Sequence, residues 1–231
     1  MAAKIKVIRK ADSSEILNKE HNIYLGISLG NKWFTKENMR EYLHWALKYT
    51  KKRVAFLVAD TLHAINYEVR NNETPEKARK RAIRMGDKMI SVIKELIEEL
   101  PLKQQGLIDI VRWDSIDKSM EHVKMKEILY SEFKNNKEFR EKILELVRTA
   151  INREKRDFTD EQLVSLARYV LEELPEILNG FTYNGTYYDL YIYPDDSLLT
   201  KFTEQLQQKE IFPYLHAKLL IKNNIFVELK V

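Results

Sequence analysis

The sequence has 231 residues, of which 44% are hydrophobic and 32% charged, a composition typical of a soluble globular protein and too apolar for a disordered one. It contains no cysteine, which excludes disulfides, thiolate metal ligands and a cysteine nucleophile. The formal net charge is only +4, so any binding of nucleic acid would depend on where the cations cluster. No apolar run approaches the roughly 18 residues that span a bilayer, and residues 1–10 lack the apolar stretch of a secretory signal. We therefore expect a cytoplasmic protein without membrane contact.

In chain order, the first half of the sequence alternates between strand and helix patterns. Residues 23–25 form a short apolar run that predicts a strand, and a threonine N-cap predicts a helix over 35–51. The continuous apolar run at 54–59 predicts a strand buried on both faces. A Pro-Glu pair begins a long helix predicted over 76–100, which a proline stops, and residues 107–111 predict the next strand.

The second half is mainly helical. The predicted elements are helices over 115–134, 138–153, 160–177 and 197–208, a tyrosine-rich strand over 187–193, and a hairpin that pairs 219–222 with 225–231 across Asn223-Asn224. Strands that alternate with helices, with no linker or repeat, predict one α/β domain over 1–231. Its sheet should be mainly parallel with right-handed connections, and the helices at 115–177 should pack on its side.

A serine lies in the turn after the first predicted strand, within Gly26-Ile27-Ser28-Leu29-Gly30-Asn31. Small residues around it permit a tight turn that projects the hydroxyl at the carboxyl edge of the sheet, where open α/β sheets bind ligands. The run also fits the G-x-S-x-G pattern of α/β-hydrolases, and His216 follows in a suitable order. Ser28 is too early in the chain for the hydrolase layout, however, and a serine between glycines is common in ordinary turns.

Two further features place polar groups where they could meet this serine. Tyr169 and Glu173 are four residues apart on a predicted helix, with Glu176 on nearly the same side, and a carboxylate beside a phenol suits an ammonium group. Acidic helix surfaces are common, so the pair alone is more simply a solvent-facing one. Tyr193 ends a predicted strand at the same sheet edge, where a phenol can relay a proton; packing in a tyrosine-rich strand is the alternative.

Cations crowd the first half of the helix predicted at 76–100. They are Lys77, Arg79, Lys80, Arg81, Arg84 and Lys88. Four of them follow a three- and four-residue spacing and so line one stripe, which is a candidate contact for a phosphate backbone. An ordinary solvated helix face explains the stripe equally well.

Taken together, these segments resemble the tRNA-dependent cyclodipeptide synthases. The resemblance rests on Gly26-Ile27-Ser28-Leu29-Gly30-Asn31-Lys32-Trp33-Phe34, on Tyr169-Val170-Leu171-Glu172-Glu173-Leu174-Pro175 and on Tyr193, and it covers nearly the whole chain in order and spacing. It implies a Rossmann-like fold similar to the catalytic domain of class I tyrosyl- and tryptophanyl-tRNA synthetases. It also implies two aminoacyl-tRNAs as substrates and no ATP or other cofactor, because the ester bond is already activated.

The resemblance further implies a ping-pong route to a cyclic dipeptide. Ser28 would accept the first aminoacyl group as an ester, Tyr169 and Glu173 would hold its amino group, and Tyr193 would help to move protons. A second aminoacyl-tRNA would give a dipeptidyl ester that cyclises, and the basic helix would hold the first tRNA. Asn31 resembles one subgroup of the family and the Tyr193-Pro194 pair the other. His122 stands where a tyrosine is common, so a supporting role is expected for it.

In the same resemblance, the pocket for the first side chain is expected near Gly26, with Tyr24, Trp113, Glu176 and Tyr191 as its walls. A buried carboxylate favours a basic or hydrogen-bonding partner. We therefore predict a polar or basic first residue, such as histidine.

The expected oligomeric state is a monomer. Two other functions stay open on the sequence alone. One is a serine hydrolase that uses Ser28 and His216, and the other is a non-catalytic protein that binds tRNA or other RNA through the basic helix.

Overall fold

The computed structural model describes residues 3–9, 11–152, 156–195, 197–222 and 224–230. Its strands are β1 Lys4–Arg9, β2 Ile23–Ile27, β3 Val54–Val58, β4 Ile108–Arg112, β5 Phe181–Tyr183, β6 Thr186–Tyr188, β7 Leu190–Tyr193 and β8 Ile225–Lys230. Its helices are α1 Ser13–Leu17, α2 Lys36–Tyr49, α3 Asp60–Asn71, α4 Pro75–Glu98, α5 Leu102–Gln105, α6 Trp113–Asp117, α7 Met120–Asn135, α8 Lys137–Ile151, α9 Asp160–Asn179, α10 Leu198–Gln207 and α11 Pro213–Lys218.

Six strands form one sheet in the order β1-β8-β7-β2-β3-β4, and β5 pairs with β6 outside it. Every neighbouring pair in the six-stranded sheet is parallel except β1 and β8. The predicted α/β class with a mainly parallel sheet is therefore confirmed. The chain builds outward from β2 through β3 to β4 and then returns to place β7 on the other side of β2. Strand order thus reverses between β2 and β7, and open α/β sheets bind ligands at the carboxyl ends of such a pair.

Helix ends follow the capping residues in the sequence. Thr35 accepts a hydrogen bond from the N–H of Asn38, and Thr159 forms a full capping box with Gln162 at the start of α9. Gly180 ends α9 at φ +62, and a Cβ there would lie 2.0 Å from the carbonyl oxygen of Tyr188. Only glycine fits this position.

The side chains pack into two large cores. One lies between the sheet and α2 and α4, and the other lies among α7, α8, α9 and α10. The second core is the helical layer predicted over 115–177. A third apolar cluster joins the opposite face of the sheet to α6 and α9, and it is rich in tyrosine. In the part of the chain that is described, no helix is long and apolar enough to cross a membrane.

Six elements are absent from the sequence prediction: β1, α1, α3, α5, β5 and α11. Most are short and show little periodicity. The longer α3 begins at Asp60 directly after β3, and no side chain caps its first turn. Its start therefore lacks the capping residue that marks other helices in this chain.

Two predicted elements are broken in the structure. The helix predicted over 115–134 divides into α6 and α7, because the Ser119 side chain caps a new helix by accepting the N–H of His122. The strand predicted over 187–193 divides into β6 and β7 at Asp189, whose carboxylate accepts the N–H of Asn22 and also bonds His21. The chain can then leave the β5–β6 ribbon and join the main sheet.

The predicted C-terminal hairpin is wrong. Residues 219–222 form no strand, since Leu219 packs in the helical core, Leu220 has φ +49 and the N–H of Lys222 donates to Asn179. The other half of the predicted hairpin is β8, which pairs with β7 on one side and β1 on the other. Backbone groups on both edges of β8 therefore find hydrogen-bond partners within the sheet. The predicted turn residue Asn223 and the predicted ends at 153 and 231 lie outside the described residues.

Candidate active site

Ser28 lies at the point where the strand order reverses. It follows the last residue of β2 in a tight turn, in which the N–H of Asn31 donates to the Ser28 carbonyl oxygen at 3.3 Å and Gly30 has φ +84. Tyr193 ends β7 beside it and donates its phenolic O–H to the Ser28 Oγ at 3.1 Å. The Asn31 side chain in turn donates to the Tyr193 hydroxyl at 3.3 Å. The structure therefore brings Ser28, Asn31 and Tyr193 together, as the sequence predicted.

The same serine opens into a small pocket between the sheet and α9. The pocket has a volume of about 220 Å³ and is called the Ser28 pocket below; it is lined by Ser28, Tyr169, Glu173, Ile177, Tyr191, Tyr193, Asp195, Ser197, Leu199 and Thr200. Tyr169 and Glu173 project into it from successive turns of α9, and the Tyr169 phenol faces Ser28 there. All four predicted catalytic side chains thus line one cavity.

Glu173 brings a carboxylate into this pocket from α9. Burial raises the pKa of Glu173 to about 7, because the charged form loses hydration. Burial also raises the pKa values of the Tyr169 and Tyr193 phenols, and the neighbouring Ser28 hydroxyl lowers both of them in part. At neutral pH the pocket therefore holds neutral tyrosines and a carboxylate poised between its two protonation states, which a bound cation would drive to the charged form.

Tyr191 forms the floor of the pocket. A Cβ at Gly26 would lie 2.5 Å from the Tyr191 ring, so the absence of a side chain there makes room for the tyrosine. Tyr191 stacks on the fully buried ring of Tyr24 at 5.1 Å between centroids. Glu176 is only 3% exposed and lies beside both rings, where burial and its charge raise the pKa of each phenol. The predicted wall residues Tyr24, Glu176 and Tyr191 therefore lie side by side, but only Tyr191 lines the Ser28 pocket itself.

The remaining two predicted substrate-binding residues lie elsewhere. Trp113 is buried in the tyrosine-rich cluster at the start of α6 and borders a separate cleft with Asp114 and Arg168. His122 is buried in α7, where its Nδ1 lies 2.9 Å from the Ser119 hydroxyl and burial lowers its pKa to about 4. Neither side chain lines the Ser28 pocket.

No histidine lines the Ser28 pocket in the part of the chain that is described. His216, the candidate base of a hydrolase, lies in the short helix α11. The polar partners of the Ser28 hydroxyl are phenols instead. The arrangement therefore does not support a Ser-His hydrolase.

The six predicted tRNA-binding cations divide into two groups on α4. Arg79, Lys80 and Arg81 are paired with Asp114, Glu76 and Glu73. The other three, called the open cations below, form no ion pair with any described residue; they are Lys77, Arg84 and Lys88. An open surface pocket of about 510 Å³ lies among Lys77, Lys80, Arg81, Arg84 and Glu73. Uncompensated cations on one exposed face suit a polyanion.

Sequence reasoning missed half of the pocket lining. Ile177 could have been found, because it lies one turn beyond Glu173 on the same face of α9. Asp195, Ser197, Leu199 and Thr200 follow β7 and begin α10, and only their position after Tyr193 could have suggested them.

Comparison with known proteins identifies close structural relatives. A sequence model of the cyclodipeptide synthase family matches residues 9–212. No curated protein is significantly similar to the chain in sequence. Among solved structures, a cyclodipeptide synthase from Fluoribacter dumoffii superposes with a TM-score of 0.74 at 18% identity, over 99% of this chain and 98% of that one.

Two other structures extend the comparison. A cyclodipeptide synthase from Candidatus Glomeribacter gigasporarum bound to Phe-tRNAPhe superposes with a TM-score of 0.63 at 18% identity, over 91% of this chain and 88% of the other. Tyrosyl-tRNA synthetase from Archaeoglobus fulgidus superposes with a TM-score of 0.52 at 14% identity, over 93% of this chain and 56% of the other. The predicted likeness to a class I synthetase fold is therefore confirmed.

Proposed function

Because this chain belongs to the cyclodipeptide synthase family, we propose that it makes a cyclic dipeptide from two aminoacyl-tRNAs through esters on Ser28. The observation that carries the proposal is the geometry at the sheet edge, where Ser28 lies in one pocket with two phenols and the half-buried carboxylate of Glu173. Acyl transfer needs a hydroxyl nucleophile, a site for the substrate's ammonium group and a route for the proton. The Ser28 pocket offers a side chain for each of these needs.

In the first step, the Ser28 Oγ attacks the ester carbonyl of the first aminoacyl-tRNA. The bond from that carbonyl carbon to the ribose oxygen breaks, and the serine proton passes to the departing ribose hydroxyl. The Tyr193 hydroxyl is 3.1 Å from the Oγ and can relay this proton. The Asn31 side chain orients that hydroxyl by donating a hydrogen bond to it. Glu173 and Tyr169 bind the ammonium group of the transferred residue, because together they offer a cation a carboxylate and a phenol on one face of α9.

In the second step, the amino group of the Ser28 ester attacks the carbonyl of a second aminoacyl-tRNA; the bond from that carbonyl carbon to the ribose oxygen breaks, and a proton from the attacking nitrogen passes to the departing ribose oxygen. The amine must lose a proton first, and a carboxylate with a pKa of about 7 is suited to accept it. The terminal amine of the resulting dipeptide then attacks the Ser28 ester. The carbon–oxygen bond to Ser28 breaks, the serine recovers its proton and the cyclic dipeptide is released. In this scheme the amine that attacks the Ser28 ester gives up the proton that the serine recovers.

We also propose that the first residue has a polar or basic side chain. The wall beneath the Ser28 pocket contains Tyr24, Tyr191 and Glu176, so it carries hydroxyl groups and a buried carboxylate where a leucine pocket would be apolar. Products that contain only leucine or phenylalanine would contradict this part of the proposal.

The open cations of α4 are the proposed contact for the phosphate backbone of the first tRNA, together with their paired neighbours. The open cations form no ion pair among the residues that the structure describes, so they can neutralise phosphates without first breaking one, which supports this role. We also propose that the protein is cytoplasmic, because aminoacyl-tRNAs are cytoplasmic substrates. We propose that it acts as a monomer.

The test is expression in a bacterium with mass spectrometry of the culture medium. A cyclic dipeptide should be present with the wild-type chain and absent with Ser28→Ala, and its composition would name both amino acids. Asn31→Ala is a useful companion, because it should lower the yield without abolishing it. No cyclic dipeptide from a folded wild-type protein, either in culture or with charged tRNA in vitro, would contradict the proposal.

A further inference from the structure

A line of side chains leads from the turn that carries Ser28 to the basic helix α4. Gly30 lies two residues after Ser28, and a side chain on it would lie 3.9 Å from the ring of His63. The His63 ring meets Tyr67 edge to face, with 4.9 Å between centroids. The guanidinium of Arg81 lies 4.2 Å from the centroid of Tyr67. None of the three side chains His63, Tyr67 and Arg81 lines the Ser28 pocket, so they form a separate track on α3 and α4.

The hydrogen bonds around His63 fix its protonation. Arg70 donates from Nε to the Asn66 Oδ1 at 3.1 Å, which orients the amide and turns its Nδ2 toward the Nδ1 of His63 at 3.4 Å. Burial, with Arg70 and Arg81 nearby, lowers the pKa of His63 to about 4. The imidazole is therefore neutral at pH 7, with Nδ1 as an acceptor and the proton on Nε2. Nε2 and Cε1 are the atoms that face Gly30.

We infer that His63, Tyr67 and Arg81 bind the unpaired 3′ end of the aminoacyl-tRNA, and that Nε2–H of His63 donates to its terminal nucleotide. The inference rests on the proposed function, which requires the ribose that carries the ester to reach Ser28. Gly30 is at most about 7 Å from Ser28 along the backbone, so the terminal ribose and base must lie close to this turn. The His63 ring lies against the turn at Gly30.

The chemistry of the track suits a single-stranded nucleic acid. Such strands bind where aromatic rings accept bases and cations accept phosphates. The track places two aromatic rings, His63 and Tyr67, between Gly30 and the guanidinium of Arg81. Its far end, Arg81, borders the cationic pocket of α4. The track thus joins the proposed phosphate contact to the proposed nucleophile.

The test is binding of unfractionated bacterial tRNA, either intact or with its three 3′-terminal nucleotides removed, measured by fluorescence anisotropy. The wild-type protein should bind intact tRNA about tenfold more tightly than truncated tRNA, the change expected when one stacked or hydrogen-bonded base is lost. His63→Ala should lose most of this preference, because intact tRNA then binds more weakly while the affinity for truncated tRNA stays unchanged. His63→Gln, which keeps an N–H donor, should recover part of the preference.

His44→Ala is the matched control, because His44 is exposed on α2 and should leave the preference unchanged. Equal weakening of both tRNA forms by His63→Ala, or no weakening at all, would overturn the inference. So would a wild-type protein that binds truncated tRNA as well as intact tRNA. This experiment needs no acyl transfer, whereas the proposed function is judged by whether charged tRNA acylates Ser28. The two can therefore fail independently.

Discussion

Replacing Glu173 with glutamine should remove the negative charge that binds the substrate's ammonium group, and should leave the shape of the Ser28 pocket unchanged. The proposed role of Glu173 is to hold the ammonium group of the aminoacyl residue beside Tyr169. A hydrogen bond to a charged group contributes about 1.5–3 kcal/mol, so Glu173→Gln should slow the acylation of Ser28 by roughly 10- to 100-fold.

The same substitution should change the pH dependence of acylation. In the wild type, the pKa of Glu173 is about 7, so the carboxylate that binds the ammonium is present above pH 7 and lost below it. Wild-type acylation at limiting substrate should therefore rise with pH through about 7. Glu173→Gln has no ionisable group at this position, and its acylation should lack this rise.

As the pH rises, the free energy of unfolding should fall while the rate of Ser28 acylation rises. The folded-state pKa of Glu173 is raised from 4.5 to about 7, so the folded protein binds the proton more tightly than the unfolded chain does. Wild-type stability therefore falls as the pH rises from about 4.5 to 7, by at most about 3 kcal/mol at 1.36 kcal/mol per pKa unit. Above pH 7, Glu173→Gln should be more stable than the wild type by up to this amount, and at pH 4 the two should be alike.

Two assays check these expectations. Acylation is followed by intact-protein mass spectrometry with charged tRNA between pH 5.5 and 8.5, and stability by urea unfolding at pH 4 and pH 8. Glu172→Gln is the matched control, because Glu172 lies next to Glu173 but bonds Lys126 and Tyr130 outside the pocket. Acylation by Glu173→Gln within twofold of the wild type, or with the same pH step, would refute the reasoning.

Three further outcomes follow from the structure. Tyr193→Phe removes the hydroxyl that bonds the Ser28 Oγ, so acylation measured by intact mass should slow by about 10- to 100-fold; an unchanged rate would exclude a proton relay by this phenol. Replacing the three open cations of α4 with alanine should weaken tRNA binding and flatten its salt dependence, whereas Arg79→Ala should do so less. Gly180→Ala should destabilise the fold by more than about 2 kcal/mol in urea unfolding, because φ is +62 and the Cβ meets a backbone carbonyl; a smaller loss would contradict that geometry.

The predictable part of the site depends on local signals. Glycines around Ser28 mark a turn after an apolar strand, and the four-residue spacing of Tyr169 and Glu173 places both on one helix face. That these two elements face each other follows from the return of the chain to place β7 beside β2, and no local pattern encodes it. The family resemblance supplied this long-range information, and the fold agrees with it.

The parts that sequence reasoning missed are those set by long-range packing. The family resemblance placed Tyr191 near Gly26, but the residues that follow Tyr193, such as Ser197 and Thr200, reach the pocket through packing that no local pattern encodes. His63 was not predicted as a site residue, because the helix that carries it, α3, begins without a capping residue and was itself not predicted. The C-terminal hairpin was wrong because β8 finds partners distant in sequence, and local turn residues say nothing about them.

The most direct test of the central claim is the covalent state of Ser28 after the purified protein is mixed with one aminoacyl-tRNA. The account predicts a mass increase of one aminoacyl residue, mapped by peptide analysis to Ser28 and absent from Ser28→Ala, that is converted to a cyclic dipeptide when a second aminoacyl-tRNA is added. Formation of the cyclic dipeptide by Ser28→Ala, or an acyl group mapped to another residue, would contradict it.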